Sequence, residues 1–253
     1  MISFCGTAQA EEEDEGVREL AQELALGETV YPQDRLELQL SLVPERVRQD
    51  GEDIYPVVGL VELGLTDRLQ LAVEVPMVVT NQQSGLGNAE IGASYSIFND
   101  RESGLAFTAG LSLGAPAANT AFGEEGFAIE PYMVGYLGGE HLGANLQVFT
   151  EANDVAGDSE FGYGAALALL AGSPLLTGAL EVSLEREDET IAQLSPGLYM
   201  RPSADLEFGF AAPIGLTQAA PDYAVALFVT WEAELAPDAP DDDDDLSKAS
   251  AQR

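Results

Sequence analysis

Apolar side chains occupy every second position of this chain in about a dozen stretches that begin near Leu36, each followed by a turn. The first stretch has leucine at alternate positions, namely Leu36, Leu38, Leu40 and Leu42. The residues between them are polar: Glu37, Gln39 and Ser41. A period of two is typical of a β-strand with two chemically different faces. The pattern therefore predicts an all-β protein.

Twelve strands are predicted, at roughly 36–43, 54–64, 68–79, 89–98, 104–114, 127–137, 141–151, 160–171, 175–185, 191–201, 205–214 and 223–233. Short turns between them alternate with longer loops, which are expected at 44–53, 80–88, 115–126, 152–159, 186–190 and 215–222. An even strand number with both chain ends on the short-turn side is typical of a bacterial outer-membrane barrel with periplasmic termini. Residues 35–235 are therefore predicted to form an antiparallel up-and-down transmembrane β-barrel.

The alternative is a soluble β-sandwich or lipocalin-like barrel with its apolar face inward. The second face of the predicted strands argues against it, because that face carries small and polar residues where a soluble exterior would carry Lys and Glu. In the sixth predicted strand, Glu130 leaves it open which face of the strand points to the interior. Five aromatic residues flank the apolar band as lipid-interface side chains would: Tyr55, Tyr95, Tyr163, Tyr223 and Trp231.

The first ten residues end in Ala8-Gln9-Ala10, which fits a signal-peptidase site. The apolar run before it is too short for a working signal, so residues 1–10 are interpreted as the remnant of a truncated signal peptide. Cys5 is the only cysteine, and a lipoprotein acceptor is the alternative for it.

Residues 11–34 form an acidic segment in which a short amphipathic helix is predicted. Its apolar positions recur at helical spacing, and Gly27 follows as a C-cap: Val17, Leu20, Ala21, Leu24 and Ala25. The helix is expected on the periplasmic side or folded into the barrel mouth; a mobile solvated segment is the alternative. Residues 236–253 contain the run Asp241 to Asp245 and are predicted to be a disordered acidic tail.

The net charge is −34, and Lys248 is the only lysine. Ten Lys and Arg residues against 44 Asp and Glu leave no basic patch to neutralise phosphates, so nucleic acid is excluded as a partner. Adaptation to a saline habitat would explain such charge because salt screens its self-repulsion. Ordinary solubility of loops and tails is the alternative.

The second and third strands resemble a known family. The stretch Glu62-Leu63-Gly64-Leu65-Thr66-Asp67-Arg68-Leu69-Gln70-Leu71 is similar to the hairpin of the outer-membrane family named for the MetA pathway of phenol degradation. Residues 194–202, 205–210 and 213–215 are similar to the closing hairpin of that family. In the first hairpin, Leu63 stands where an aromatic residue is common in the family. The resemblance implies a barrel that admits small organic compounds, and it supplies no catalytic residues.

No catalytic or cofactor site is expected from the residues. His141 is the sole histidine and follows a tight turn, and no His, Cys and carboxylate cluster has metal-ligand spacing. The residues proposed to line the lumen are charged: Glu37, Glu62, Arg68, Glu74, Glu90, Glu181, Arg201 and Glu207. They fit either a cation-preferring pore or interior ion pairs that hold a narrow barrel shut.

The expected partners are outer-membrane lipid and a small-molecule solute. Passive passage of small molecules, hydrophobic or aromatic ones included, is the predicted function, with no enzymatic activity. The alternative is a closed structural or adhesive barrel that acts through its loops, where Phe122 and Phe127 lie in the longest connection.

Overall fold

The computed structural model describes residues 20–80, 83–100, 103–117, 122–123, 126–155, 158–173 and 175–235. None of these residues belongs to a helix long and apolar enough to span a membrane. The described residues form fourteen β-strands: β1 (Glu37–Gln49), β2 (Glu52–Thr66), β3 (Leu69–Val79), β4 (Ser84–Leu86), β5 (Glu90–Asp100), β6 (Leu105–Gly114), β7 (Phe127–Gly138), β8 (Leu142–Val155), β9 (Asp158–Ser173), β10 (Leu176–Arg186), β11 (Thr190–Ser203), β12 (Leu206–Ala211), β13 (Ile214–Gly215) and β14 (Tyr223–Glu234).

Twelve of these strands form a closed antiparallel barrel in the order β1-β2-β3-β5-β6-β7-β8-β9-β10-β11-β12-β14. The barrel closes where β1 pairs with β14, with Leu40 opposite Trp231. The short strand β4 pairs with β3, and β13 lies between β11 and β14 beyond the end of β12. The prediction of a twelve-stranded up-and-down barrel is therefore confirmed, because each long strand pairs with its neighbours in sequence.

The barrel has its apolar face outside. On β3, for example, Val73 and Val75 are 43% and 40% exposed, whereas Gln70 on the other face is 8% exposed. Glu130, whose facing the sequence left open, points inward with Tyr132, which like it lines the interior cavity. The five predicted interface aromatics are all exposed on the outer surface. A soluble barrel would show the reverse arrangement, so the alternation is that of a transmembrane barrel.

The two ends of the barrel differ in their connections. Short turns join β2 to β3, β7 to β8, β9 to β10 and β11 to β12 at one end, which is named here the short-turn end. The connections from β3 to β5, from β6 to β7 and from β12 to β14 lie at the other, named the long-loop end. Residues 37 and 234, the first and last residues of the barrel wall, both lie at the short-turn end.

Two of the predicted long loops are instead extensions of strands. β1 and β2 run past the predicted loop 44–53 and meet in a two-residue hairpin turn at Asp50 and Gly51. Both turn residues have positive φ, 51° and 81°. Asp-Gly is a preferred pair for such turns, because their twist matches that of the flanking strands. β8 and β9 likewise extend to Val155 and Asp158.

The predicted amphipathic helix is wrong over the residues the structure describes. Residues 20–35 carry no helix and run through the interior of the barrel toward the short-turn end before β1 begins. Their backbone N–H groups bind side chains of the barrel wall, so an intrahelical ladder does not form. Val17, the predicted signal remnant 1–10 and the predicted tail 236–253 lie outside the described residues.

Candidate functional site

The interior of the barrel contains residues 20–35, named here the inner segment, and its first contacts are with two buried glutamates. The backbone N–H of Gln22 donates to both carboxylate oxygens of Glu207, at 3.1 and 3.3 Å. The N–H groups of Ala25 and Leu26 donate to the two oxygens of Glu181, at 3.1 and 2.8 Å. Both carboxylates are 1% exposed. Two charged wall residues therefore satisfy backbone donors that would otherwise be unpaired in a buried place.

Further along the inner segment, side chains from other strands of the wall form hydrogen bonds with its backbone. The N–H of Glu28 donates to Gln147 Oε1 at 2.9 Å, and Asn145 Nδ2 donates to the carbonyl oxygen of Glu28 at 3.0 Å. The N–H of Gln33 donates to Gln70 Oε1 at 2.7 Å. The inner segment is thus bound to the wall at the level of its backbone, and its path does not depend on regular secondary structure.

Apolar side chains of the inner segment pack on inward-facing aromatic residues of the wall. Leu20, Val30 and Tyr31 are each at most 8% exposed. Tyr31 meets Tyr136 of β7 edge to face, with ring centroids 5.5 Å apart. These contacts belong to one cluster that also contains Phe228 of β14. The helical spacing of apolar residues in this segment therefore reflects contacts with the surrounding wall rather than one face of a helix.

A polar network joins the inner segment to β1, β2 and β3. Gln39 Nε2 donates to Glu23 Oε1 at 2.7 Å and to Glu62 Oε2 at 2.5 Å. Ser41 Oγ donates to Glu23 at 2.7 Å, and the amide of Gln70 donates to Glu62 Oε1. One glutamine amide therefore bridges a carboxylate of the inner segment and a carboxylate of the wall.

A cavity of about 390 Å³ lies on the side of the inner segment that faces the long-loop end. Among the described residues that line it, seven are glutamates and none is Lys, Arg or His: Glu23, Glu28, Glu45, Glu62, Glu74, Glu90 and Glu130. Ser112 Oγ donates to Glu90 Oε2 at 2.8 Å. A cleft lined by one sign of charge concentrates the field, so the cavity attracts cations and repels anions.

Three of the predicted lumen residues line this cavity, namely Glu62, Glu74 and Glu90. Two others, Glu181 and Glu207, bind the backbone of the inner segment. The structure therefore divides the predicted lumen carboxylates into a cavity group and a group occupied by the chain itself.

The remaining predicted residues lie near the short-turn end. Arg201 Nη2 is 3.1 Å from Glu207 Oε2, and the Arg201 side chain is 16% exposed. Glu37 Oε2 accepts the N–H of Asp34 at 3.0 Å. Arg68 is exposed at the turn between β2 and β3, so it is not brought into the cavity.

Four cavity carboxylates were not predicted. Glu23 and Glu28 belong to the inner segment, which local patterns assigned to a helix. Glu45 falls in a stretch that was expected to be a loop, and Glu130 faces inward in the one strand whose facing was open. The Asp50-Gly51 pair is the signal that could have placed Glu45 on a strand.

His141 lies exposed beside the β7–β8 turn with its Nδ1 3.1 Å from the carbonyl oxygen of Gly172. Glu151, Glu185 and Glu187 bring carboxylate oxygens within 4.8 Å of one another near the long-loop end. Oxygen ligands at that spacing suit a hard cation such as Ca²⁺. Acidic groups in such positions are common without an ion.

Solved structures of porins resemble this fold. The NanC porin in a rhombohedral crystal form has a TM-score of 0.60 at 12% identity, over 76% of this chain and 98% of that one. The KdgM porin in complex with disordered oligogalacturonate has a TM-score of 0.58 at 14% identity, over the same shares of the two chains. The KdgM porin alone has a TM-score of 0.55 at 14% identity. At this identity the likeness shows the fold, that of a porin-like barrel.

No protein-family model matches the sequence, and comparison with curated proteins finds no match.

Proposed function

We propose that this protein is a bacterial outer-membrane channel for the passive passage of small solutes, and that it prefers cations. The observation that carries the proposal is the cavity of about 390 Å³ lined by seven glutamates and by no basic residue among those described. Rings of carboxylates are a usual means of cation selection in membrane pores, and lumen charges tune selectivity in β-barrels.

The outer surface supports the location. Leucine, valine, isoleucine and phenylalanine side chains cover it, and many are 40–68% exposed. Tyr55 and Tyr223 lie toward the long-loop end, whereas Tyr95 and Trp231 lie toward the short-turn end. An apolar band between two aromatic girdles fits the bilayer core and its interfaces. We place the short-turn end, and with it both ends of the wall, in the periplasm, since short periplasmic turns are the rule in such barrels.

The charge of the cavity bears on the solute. The resemblance to the phenol-degradation family implies small organic compounds, hydrophobic or aromatic ones among them. An uncharged hydrophobic molecule gains little from a space lined with carboxylates, whereas an inorganic cation or a small organic amine is attracted to it. We therefore favour small cations as the solutes. Passage of hydrophobic or aromatic compounds stays a prediction from the family resemblance.

A closed structural or adhesive barrel that acts through its loops is the second candidate. The inner segment favours it, because this segment occupies the interior with buried contacts from Leu20 to Tyr31. Under this function the interior would be a packed core, and solutes would not cross.

Conductance across planar lipid bilayers separates the two functions. The channel predicts discrete current steps from the purified, folded protein and faster cation uptake by liposomes that contain it than by empty ones. Uptake of an uncharged aromatic compound, measured in parallel, tests the solute class. Absence of both current steps and uptake would rule out a constitutively open channel and favour the closed barrel.

A further inference from the structure

We infer that the inner segment, residues 20–35, is a gate: seated on the wall it closes the lumen, and its release opens the channel. The inference rests on the proposed function, since it names how that same pore is regulated. It is carried by the path of the inner segment around the wall and by the narrow void between this segment and the wall at Gly27.

The contacts of the inner segment follow the wall in strand order. Gln22 binds β12 through Glu207, and Ala25 and Leu26 bind β10 through Glu181. Glu28 then binds β8 through Gln147. The segment thus advances by two strands at each step.

The same progression continues around the second half of the barrel. Thr108 of β6 donates to the carbonyl oxygen of Val30 at 2.5 Å. Gln33 binds Gln70 of β3, and the N–H of Leu36 donates to the carbonyl oxygen of Gly64 in β2 at 2.8 Å. The inner segment therefore makes nearly a full circuit of the wall before it enters β1, so that every side of the lumen is engaged.

At Gly27 the space between the inner segment and the wall is small. A void of about 10 Å³ lies between Leu24, Gly27 and the wall at Ala166, which is at the limit of what one water molecule needs. The cavity of about 390 Å³ is lined by the inner segment from Glu23 to Glu28. A solute that enters from the long-loop end thus meets the inner segment before it can reach the short-turn end.

The inner segment is attached to the wall in a way that permits its release. The anchors are hydrogen bonds to wall side chains and the packing of Leu20, Val30 and Tyr31 on the wall, and no strand of the barrel is formed by the inner segment. Withdrawal of these residues would break side-chain contacts and leave the ladder of the wall intact.

A cysteine pair can lock the gate. A Cβ atom built on Gly27 would lie 3.1 Å from Cβ of Ala166, close to the span of about 3.5–4.5 Å that a disulfide bridges. The variant Gly27→Cys/Ala166→Cys, made in a Cys5→Ser background, is oxidised and reconstituted in planar bilayers, and the cross-link is measured by mass spectrometry. The two single-cysteine variants under the same oxidation are the matched controls.

We expect oxidation to lower the open probability of the double variant by roughly tenfold or more, with recovery on reduction and no change in either control. A cross-link that forms without affecting conductance would overturn the gate, because solutes would then pass a fixed segment. Failure of the cross-link to form would also overturn it, because the segment would not lie against β9.

Release from the seat provides an independent measurement. Glu181→Ala removes the acceptor of two backbone N–H groups and should raise the open probability several-fold, whereas Glu140→Ala, at an exposed turn, should not. If the native chain conducts but neither the lock nor Glu181→Ala changes the open probability, the gate is refuted and the channel stands. If the native chain, the reduced double variant and Glu181→Ala all fail to conduct, the proposed function itself is refuted.

Discussion

The backbone N–H of Leu26 donates a 2.8 Å hydrogen bond to Glu181 Oε2, although 155 residues separate the two in sequence. The other oxygen of the same carboxylate accepts the N–H of Ala25 at 3.1 Å and the hydroxyl of Tyr199 at 3.3 Å. One wall glutamate, itself 1% exposed, thus satisfies three donors. Charge-assisted hydrogen bonds of this kind are about twice as strong as neutral ones.

Replacing this carboxylate should destabilise the protein. Glu181→Ala leaves the N–H groups of Ala25 and Leu26 without their acceptor, and a buried unsatisfied donor costs roughly 1–3 kcal/mol. Urea unfolding of the protein reconstituted in lipid vesicles measures the loss. Glu140→Ala removes an exposed glutamate from a turn and should change the unfolding free energy little. Equal effects of the two substitutions would contradict the assigned role of Glu181.

The Arg201 and Glu207 pair should show strong coupling in a double-mutant cycle. Arg201→Leu leaves the carboxylate of Glu207, 2% exposed at its side chain, without its cation, and breaking such a pair costs up to roughly 3–5 kcal/mol. The double variant Arg201→Leu/Glu207→Gln keeps an oxygen acceptor for Gln22 but no buried charge, so it should be more stable than Arg201→Leu alone. An additive result would show that the two side chains do not interact.

Adjacent positions on β3 test which face meets lipid. Val73 lies on the exposed apolar face and Ala72 lines the acidic cavity. Val73→Arg should cost roughly 2–4 kcal/mol if the residue lies near the bilayer midplane, whereas Ala72→Arg should be mild because its charge meets carboxylates. Unfolding in vesicles and the folded fraction on unboiled gels report both. A milder effect at Val73 than at Ala72 would invert the assigned facing.

The strands and their facing could be predicted from the sequence because alternation is a local property. From Gln70 to Val75 of β3, polar or small side chains point inward and larger apolar ones outward, and the same alternation holds for β10 around Leu180 and Glu181. The hairpin at Asp50 and Gly51 also had a local signal, since Asp-Gly is a preferred two-residue turn.

The inner segment could not be predicted in this way. Its path depends on donors and acceptors that are distant in sequence, such as Gln22 with Glu207 and Glu28 with Gln147. Local apolar spacing favoured a helix, and the tertiary contacts of Leu20, Leu24 and Val30 with the wall overrode it. The charge of the cavity was only partly predicted, because Glu23 and Glu28 reach it through this path.

The central claim is that the cavity carboxylates make the pore prefer cations, and the reversal potential in a KCl gradient tests it most directly. The native protein should show a reversal potential toward the K⁺ equilibrium value. Glu74→Gln/Glu90→Gln/Glu130→Gln should move it substantially toward zero, while the exposed control Glu140→Gln leaves it unchanged. A native reversal potential near zero or on the chloride side, or one that the triple variant does not alter, would contradict the account.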